Sequence, residues 1–197
     1  MTYAIAQFLI QLERAWNEHL DAALTRRDLD AVLATLAPEP SVRHNPAGTG
    51  AAGAEAVRRF YAAQFLPQLP ADLTVSRISR TVDRWRLVDE ATVSFTHDRE
   101  LPWLLPGAEP SYRRAEVLAI TVVAFERMKV RSVRVLWDHA TLTAQLDLPA
   151  LAAVGLPAAS STSSARTLGR GPKNGTGSPW RPRHASTWTM CYRCRTI

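Results

Sequence analysis

Four side chains in this 197-residue chain are of types, and in places, that could move protons: Asp138, His97, His44 and Glu116. Asp138 follows Trp137 at the end of an alternating, strand-like run, where a sheet ends and a pocket often opens. A carboxylate in a partly apolar pocket has its pKa raised, because desolvation disfavours the charged form. That brings it closer to the pH at which proton transfer is efficient. The other reading of Asp138 is a carboxylate that fixes the strand end by accepting from a backbone N–H. His97 shares a strand face with Val93 and Phe95. If that face is buried, the imidazole points into the pocket, where it could hold Asp138, shuttle a proton or polarise a carbonyl. It reads equally as a core histidine bonded to backbone. His44, just before Pro46, either lines the same pocket or fixes a loop. Glu116 is a second pocket carboxylate if it faces inward, and a cross-strand partner for an arginine if it faces outward.

The remaining candidates are weaker. His19 falls between the apolar positions of the first helix and is expected on the solvated surface. His139 alternates away from Asp138. Asp138, His97 and His44 are residue types of a facial metal site, but no close ligand spacing supports one, so neither a metal nor another cofactor is expected. Among the aromatic residues, Tyr61 and Trp137 are expected to line the pocket. Trp103, in a proline-rich loop, is expected to cap its mouth or plug it. The chain has no phosphate loop, no G-x-G-x-x-G and no G-x-S-x-G elbow, so nucleotide-binding and serine-hydrolase readings have no residue support.

The elements that must position these residues follow from periodicity. Ile5, Phe8, Leu9, Leu12, Trp16, Leu20 and Leu24 recur at helical spacing. Asp28 is a suitable N-cap for a second, short helix with Leu29, Val32, Leu33 and Leu36 inward, ended by Pro38 and Pro40. A glycine-punctuated loop precedes a third helix carrying Val57, Phe60, Tyr61 and Phe65, closed by Pro67 and Pro70. The period then changes to strands. Leu73 to Val82 reads as a strand that could carry a bulge, and Ala91, Val93, Phe95 and His97 alternate along the next. Ala115 to Phe125 is apolar on both faces, as a doubly buried central strand would be. A tight turn at Arg127 to Lys129 leads into Val130 to Trp137. Helices followed by an antiparallel meander argue an α+β domain with helices on one face of a curved sheet.

Charge divides the chain. Residues 1–157 carry 17 Lys and Arg against 18 Asp and Glu, whereas residues 158–197 carry 7 Lys and Arg and no acidic residue. The basic pI belongs to the tail, so the domain gives no reason to expect nucleic acid as a partner. The Ser/Thr/Arg/Gly/Pro-rich segment from residue 158 has no periodicity and is expected to be disordered. Both cysteines, Cys191 and Cys194, lie in it; one pair cannot complete a four-ligand zinc site. No apolar run reaches the roughly 18 residues of a membrane span and no signal peptide is evident. A cytoplasmic, membrane-free protein is expected.

Four local patterns carry a resemblance. His44-Asn45-Pro46 is followed by Gly48, Gly53 and Phe60. Phe95-Thr96-His97 ends one strand. Pro102-Trp103-Leu104-Leu105-Pro106-Gly107 forms a loop. Trp137-Asp138 is followed seven residues after the aspartate by Gln145-Leu146. In order and spacing, over roughly residues 8 to 157, these resemble the SnoaL-like polyketide cyclases of the nuclear-transport-factor-2-like superfamily. The resemblance implies a cone in which three N-terminal helices close a curved, mainly antiparallel sheet around a pocket. It also implies that Asp138 occupies the place of a general acid/base for metal-free aldol ring closure, and that the open sheet face forms a homodimer. Asp147 stands where the family usually has glycine, and Pro110-Ser111-Tyr112 where it often has Pro-Thr-Gly.

Three function classes follow. One is a cofactor-free cyclase, isomerase or hydratase using Asp138 and His97. Another is a module that binds a small hydrophobic or polyketide-like molecule without turnover. The third is a dimerising interaction protein, since one fold hosts all three.

Overall fold

The computed structural model describes residues 2–149. The expectations for the basic tail and for Cys191 and Cys194 lie outside these residues. Helix α1 (Thr2–Leu20) continues through a wider, π-helical turn to Thr25, and α2 (Leu29–Thr35) follows at once. The Asp28 carboxylate accepts from the Ala31 N–H at 3.1 Å, capping α2 as its sequence position predicts. Burial along α1 begins only near Phe8 and Leu12; Ile5 and Ile10 are exposed. Strand β1 (Leu36–Asn45) and the short β2 (Thr49–Ala52) form a hairpin before α3 (Ala54–Arg59), which also runs on through a π-helical turn to Phe65.

Pro38 and Pro40 were expected to end α2, but the helix stops at Thr35 and both prolines lie within β1. They fall where the β1–β6 register jumps between Leu36 and Ser41, a break in the ladder where no proline N–H is needed.

Strands β3 (Thr74–Val82), β4 (Arg86–Thr96), β5 (Arg114–Glu126) and β6 (Lys129–Trp137) form the expected antiparallel meander, with the bulge in β3 between Arg77 and Ser79. The six-stranded order is β2-β1-β6-β5-β4-β3. Among the described residues only β1 and β6 pair in parallel, which sets His44 beside Val135 near the end of β6.

The helices cover one face of this sheet. Leu87, Ala91 and Phe95 of β4, Ala115, Val117 and Val123 of β5, and Val133 of β6 point into the core they share with Trp16, Val32, Val57 and Phe60. β5 is not buried on both faces: Leu118 and, on β6, Leu136 are 46% and 44% exposed on the far side. Among the described residues no second layer covers the apolar residues of that outer face. A fourth helix, α4 (His139–Leu146), is additional to the three expected; it buries Leu142, Thr143 and Leu146 and packs on β5. No helix among the described residues is long and apolar enough to cross a membrane.

Candidate functional site

Between the helices and the concave sheet face lies a cavity of about 130 Å³. Its walls are Trp16, His19 and Ala23 from α1 and its extension, His44 from β1, Tyr61 and Phe65 from α3's extension, Ala91 and Val93 from β4, Ala119 from β5, and Trp103 from the β4–β5 loop. Trp16 and Ala91, with Leu20 and Val75 that also line the chamber, continue into an outer cleft of about 380 Å³ that adds Asp21, Arg77, Arg80 and Asp89. The site is thus an apolar inner chamber with a charged outer end.

His44 points inward because it alternates with Val42 on β1. Its ring stacks on Phe65, with centroids 5.8 Å apart and planes 7° apart, and Phe60 and Trp103 lie at 5.6 and 5.5 Å. Nδ1 is buried with no hydrogen-bond partner among the described residues. Burial lowers its pKa to about 4, so the imidazole is neutral at pH 7.

His19, expected at the surface, is 2% exposed and in the wall. The signal was present in the sequence: His19 is three residues from Trp16 and seven from Leu12, on the same helical face. Its ring stacks on Trp16 at 5.2 Å. Nδ1 lies 2.7 Å from Thr35 Oγ1 and Nε2 lies 3.1 Å from the Tyr61 hydroxyl. Burial lowers its pKa to about 4 and pushes the Tyr61 phenol above its ordinary value.

Asp89 was also missed. It alternates inward with Leu87 and Ala91, and Arg80 holds it through two hydrogen bonds of 2.5 and 2.6 Å. Trp16 Nε1–H donates to the same carboxylate at 2.7 Å. A paired carboxylate with three donors on it is a fixed wall of the outer cleft rather than a free base.

Of the residues singled out from sequence, His44, Tyr61 and Trp103 meet in the inner chamber. Trp103 is 7% exposed and lines the inner chamber but not the outer cleft. Its loop is held in place by Leu101, Leu104 and Leu105, all buried, and by Thr49 Oγ1–H donating to the Trp103 carbonyl at 2.7 Å. Trp137 sits behind the wall, 6.3 Å from His44.

The structure separates the other three from the chamber. Asp138 is exposed and N-caps α4, accepting from the Thr141 N–H at 3.1 Å and from its hydroxyl at 2.5 Å. Those bonds hold its carboxyl below the usual range, the reverse of the shift a buried acid would show. His97 is fully buried but outside the chamber walls; the Ser111 N–H donates to its Nδ1 at 3.2 Å, which puts the ring proton on Nε2. Glu116 faces outward, accepting from Ser94 Oγ–H at 2.8 Å across the β4–β5 pair. It faces outward because inward positions on β5 are the odd-numbered ones. Among the described residues no three His, Cys, Asp or Glu side chains cluster as a metal site.

The fold has many solved relatives. A Jannaschia sp. CCS1 protein assigned as a SnoaL-like polyketide cyclase is 20% identical with a TM-score of 0.60, over 72% of this chain and 95% of that one. An NTF2-like protein of unknown function from Burkholderia pseudomallei K96243 is 21% identical with a TM-score of 0.54, over 69% and 97%. An M. tuberculosis LEH-like epoxide hydrolase is 17% identical with a TM-score of 0.52, over 70% and 90%. At these identities the likeness is one of fold. No curated protein matches the chain. The SnoaL-like domain model matches residues 16–133, which opens at Trp16 and takes in all of the cavity's lining residues but Val135, while stopping short of Trp137-Asp138. With more than half its length matched in sequence and its helix-closed sheet matched in structure, the chain belongs to the SnoaL-like domain family.

Proposed function

We propose that this protein binds a small, mainly apolar molecule in the inner chamber, with His44 as one polar contact, and that binding rather than turnover is its primary activity. The observation that carries this reading is the aromatic enclosure, in a cavity of about 130 Å³, of a neutral His44 whose Nδ1 has no hydrogen-bond partner among the described residues. That volume is close to the roughly 150 Å³ of an apolar cavity known to hold benzene. A ring fits inside, and a larger polyketide-like molecule would extend its polar end toward Arg77 and Asp89 in the outer cleft.

The chemistry of the walls favours binding. Efficient general acid/base catalysis wants a group with a pKa near the working pH. Burial lowers the pKa of the chamber histidines from their ordinary 6.5 to about 4, a loss of roughly 3 kcal/mol of proton affinity. Asp138 is outside the chamber. Acid/base turnover of the cyclisation, isomerisation or hydration type is the second reading. It rests on the hydrogen-bonded Tyr61–His19 pair in the wall.

Incubating the purified protein with a metabolite extract and identifying the retained molecule by native mass spectrometry tests the first reading. An Ala119→Phe variant, filling the chamber from β5 and checked for folding by circular dichroism, should retain nothing. Equal retention by both proteins would sink the chamber as the binding site. Conversion of the retained molecule by wild type, lost in His19→Ala, would favour the second reading.

We also propose a homodimer through the outer sheet face, supported by the exposed Leu118 and Leu136 beside the partly buried Ile120 and Val122. Light scattering should give twice the chain mass, and Leu118→Arg should halve it. A single-chain mass for wild type at micromolar concentration rules the dimer out.

A further inference from the structure

The hydrogen-bond chain behind the chamber has one permitted direction. Thr35 Oγ1 lies 2.6 Å from the Val32 carbonyl and 2.7 Å from His19 Nδ1. Each contact needs a proton between its two heavy atoms, since bare lone pairs repel at that distance. The carbonyl has none to give and the hydroxyl has one, so the threonine proton is committed to Val32. The proton facing Thr35 must then be on His19 Nδ1. In the neutral imidazole Nε2 is left as an acceptor, and the partner at 3.1 Å is the Tyr61 hydroxyl, which donates to it. A tyrosine has one proton. With that proton turned toward His19, the oxygen can offer only lone pairs to the chamber.

We propose that the chamber selects ligands carrying a hydrogen-bond donor, a phenol- or enol-type hydroxyl on a small ring, and rejects the matching ethers and ketones. The selector is the Tyr61 oxygen, held as an acceptor by the relay from Val32 through Thr35 and His19. This rests on the inner chamber being the binding site. The discrimination comes from pairing: a hydroxyl satisfies the Tyr61 lone pair, whereas an ether or carbonyl oxygen placed there sets two acceptors together and desolvates both without a bond. Sites built to pair a hydroxyl discriminate far more steeply than apolar pockets do.

Phenol and anisole are the probes, titrated into the full chain and followed by NMR chemical-shift changes of the aromatic side chains. Phenol is expected to bind at least about tenfold more tightly than anisole, with the ratio falling to near unity in Tyr61→Phe. Equal affinities for wild type would overturn the donor rule while leaving the chamber as a binding site. No binding of either probe would overturn both. A second measurement needs no variant: nitrogen-15 shifts of the His19 ring in the wild-type protein should show protonated Nδ1 and unprotonated Nε2. The opposite tautomer, or an imidazolium at pH 7, would overturn the proposal.

Discussion

The Gln145 side-chain amide and the Glu116 backbone exchange two hydrogen bonds, each 2.8 Å: the Glu116 N–H donates to Oε1, and Nε2–H donates to the Glu116 carbonyl. The β5–β6 ladder runs only as far as Ala119 and Trp137. Gln145, on α4, therefore supplies the pairing that β6 no longer reaches. The spacing from Trp137-Asp138 to Gln145-Leu146 is thus a docking device: a cap, an amide that extends the ladder, and a buried leucine. Gln145→Ala should cost about 1–2 kcal/mol from two lost hydrogen bonds, read from urea midpoints, with ligand retention unchanged. Asp138→Ala should lower the midpoint through the lost cap and likewise leave retention intact. A retention defect in a well-folded Asp138 variant would return that carboxylate to the site.

The Arg80–Asp89 pair should matter more for folding than any other ion pair among the described residues. Its side chains are 7% and 9% exposed, and Trp16 shares the carboxylate. Asp89→Ala leaves the Trp16 indole N–H without its acceptor and leaves the Arg80 guanidinium only Asn17 at 2.8 Å and the half-exposed Glu13 at 3.9 Å, at roughly 3 kcal/mol. Asp98→Ala removes a partly exposed neighbour pair with Arg99 and should cost less than about 1 kcal/mol. Comparable losses in the two variants would contradict this ranking.

Acid should destabilise the fold through the two chamber histidines. Each is a base whose folded pKa, about 4, lies below its ordinary 6.5. Between those values the unfolded chain binds more protons than the folded one, so stability falls as pH drops through that window and levels off below it. Among the described residues, the groups packed on His19 (Trp16, Thr35, Tyr61) and on His44 (Phe60, Phe65, Trp103, Trp137) include no carboxylate to offset the cost. The loss should be on the order of 3 kcal/mol per histidine. Denaturant titrations at pH 7 and pH 4.5 would show it, and His44→Phe should remove about half of the slope.

Gly50 should tolerate no side chain. Its φ is +132°, and an added Cβ would lie 2.0 Å from the Val42 carbonyl oxygen across the β1–β2 pair. Gly50→Ala should destabilise by roughly 3 kcal/mol or more and loosen β2, seen as faster amide exchange there. Asp147 occupies a left-handed position, φ 57°, at the end of α4. Asp147→Gly should gain about 0.5–1 kcal/mol, less the exposed Arg113 pair at 3.0 Å. Thermal melting of the two variants checks both directions.

Period and punctuation alone determined much of this protein. The 3.6-residue spacing of Leu12, Trp16 and Leu20, the cap at Asp28, the alternation along β4 and the bulge in β3 are local properties, and local sequence encodes them. His44 and Tyr61 line one chamber because each lies on the inward face of its own element, and Trp103 joins them from the β4–β5 loop. Tertiary structure decided the rest. Whether β5 is covered on one side or two depends on how many layers the chain can supply, which periodicity does not record. Asp138 leaves the pocket because the chain after Trp137 turns into α4 and uses the carboxylate as a cap. The Tyr61–His19–Thr35 relay joins residues from three helical segments, and Asp89 is fixed by an arginine on the next strand and a tryptophan 73 residues away. Polarity in such a site is set by which partner each buried group meets, and only the packed chain brings those partners together.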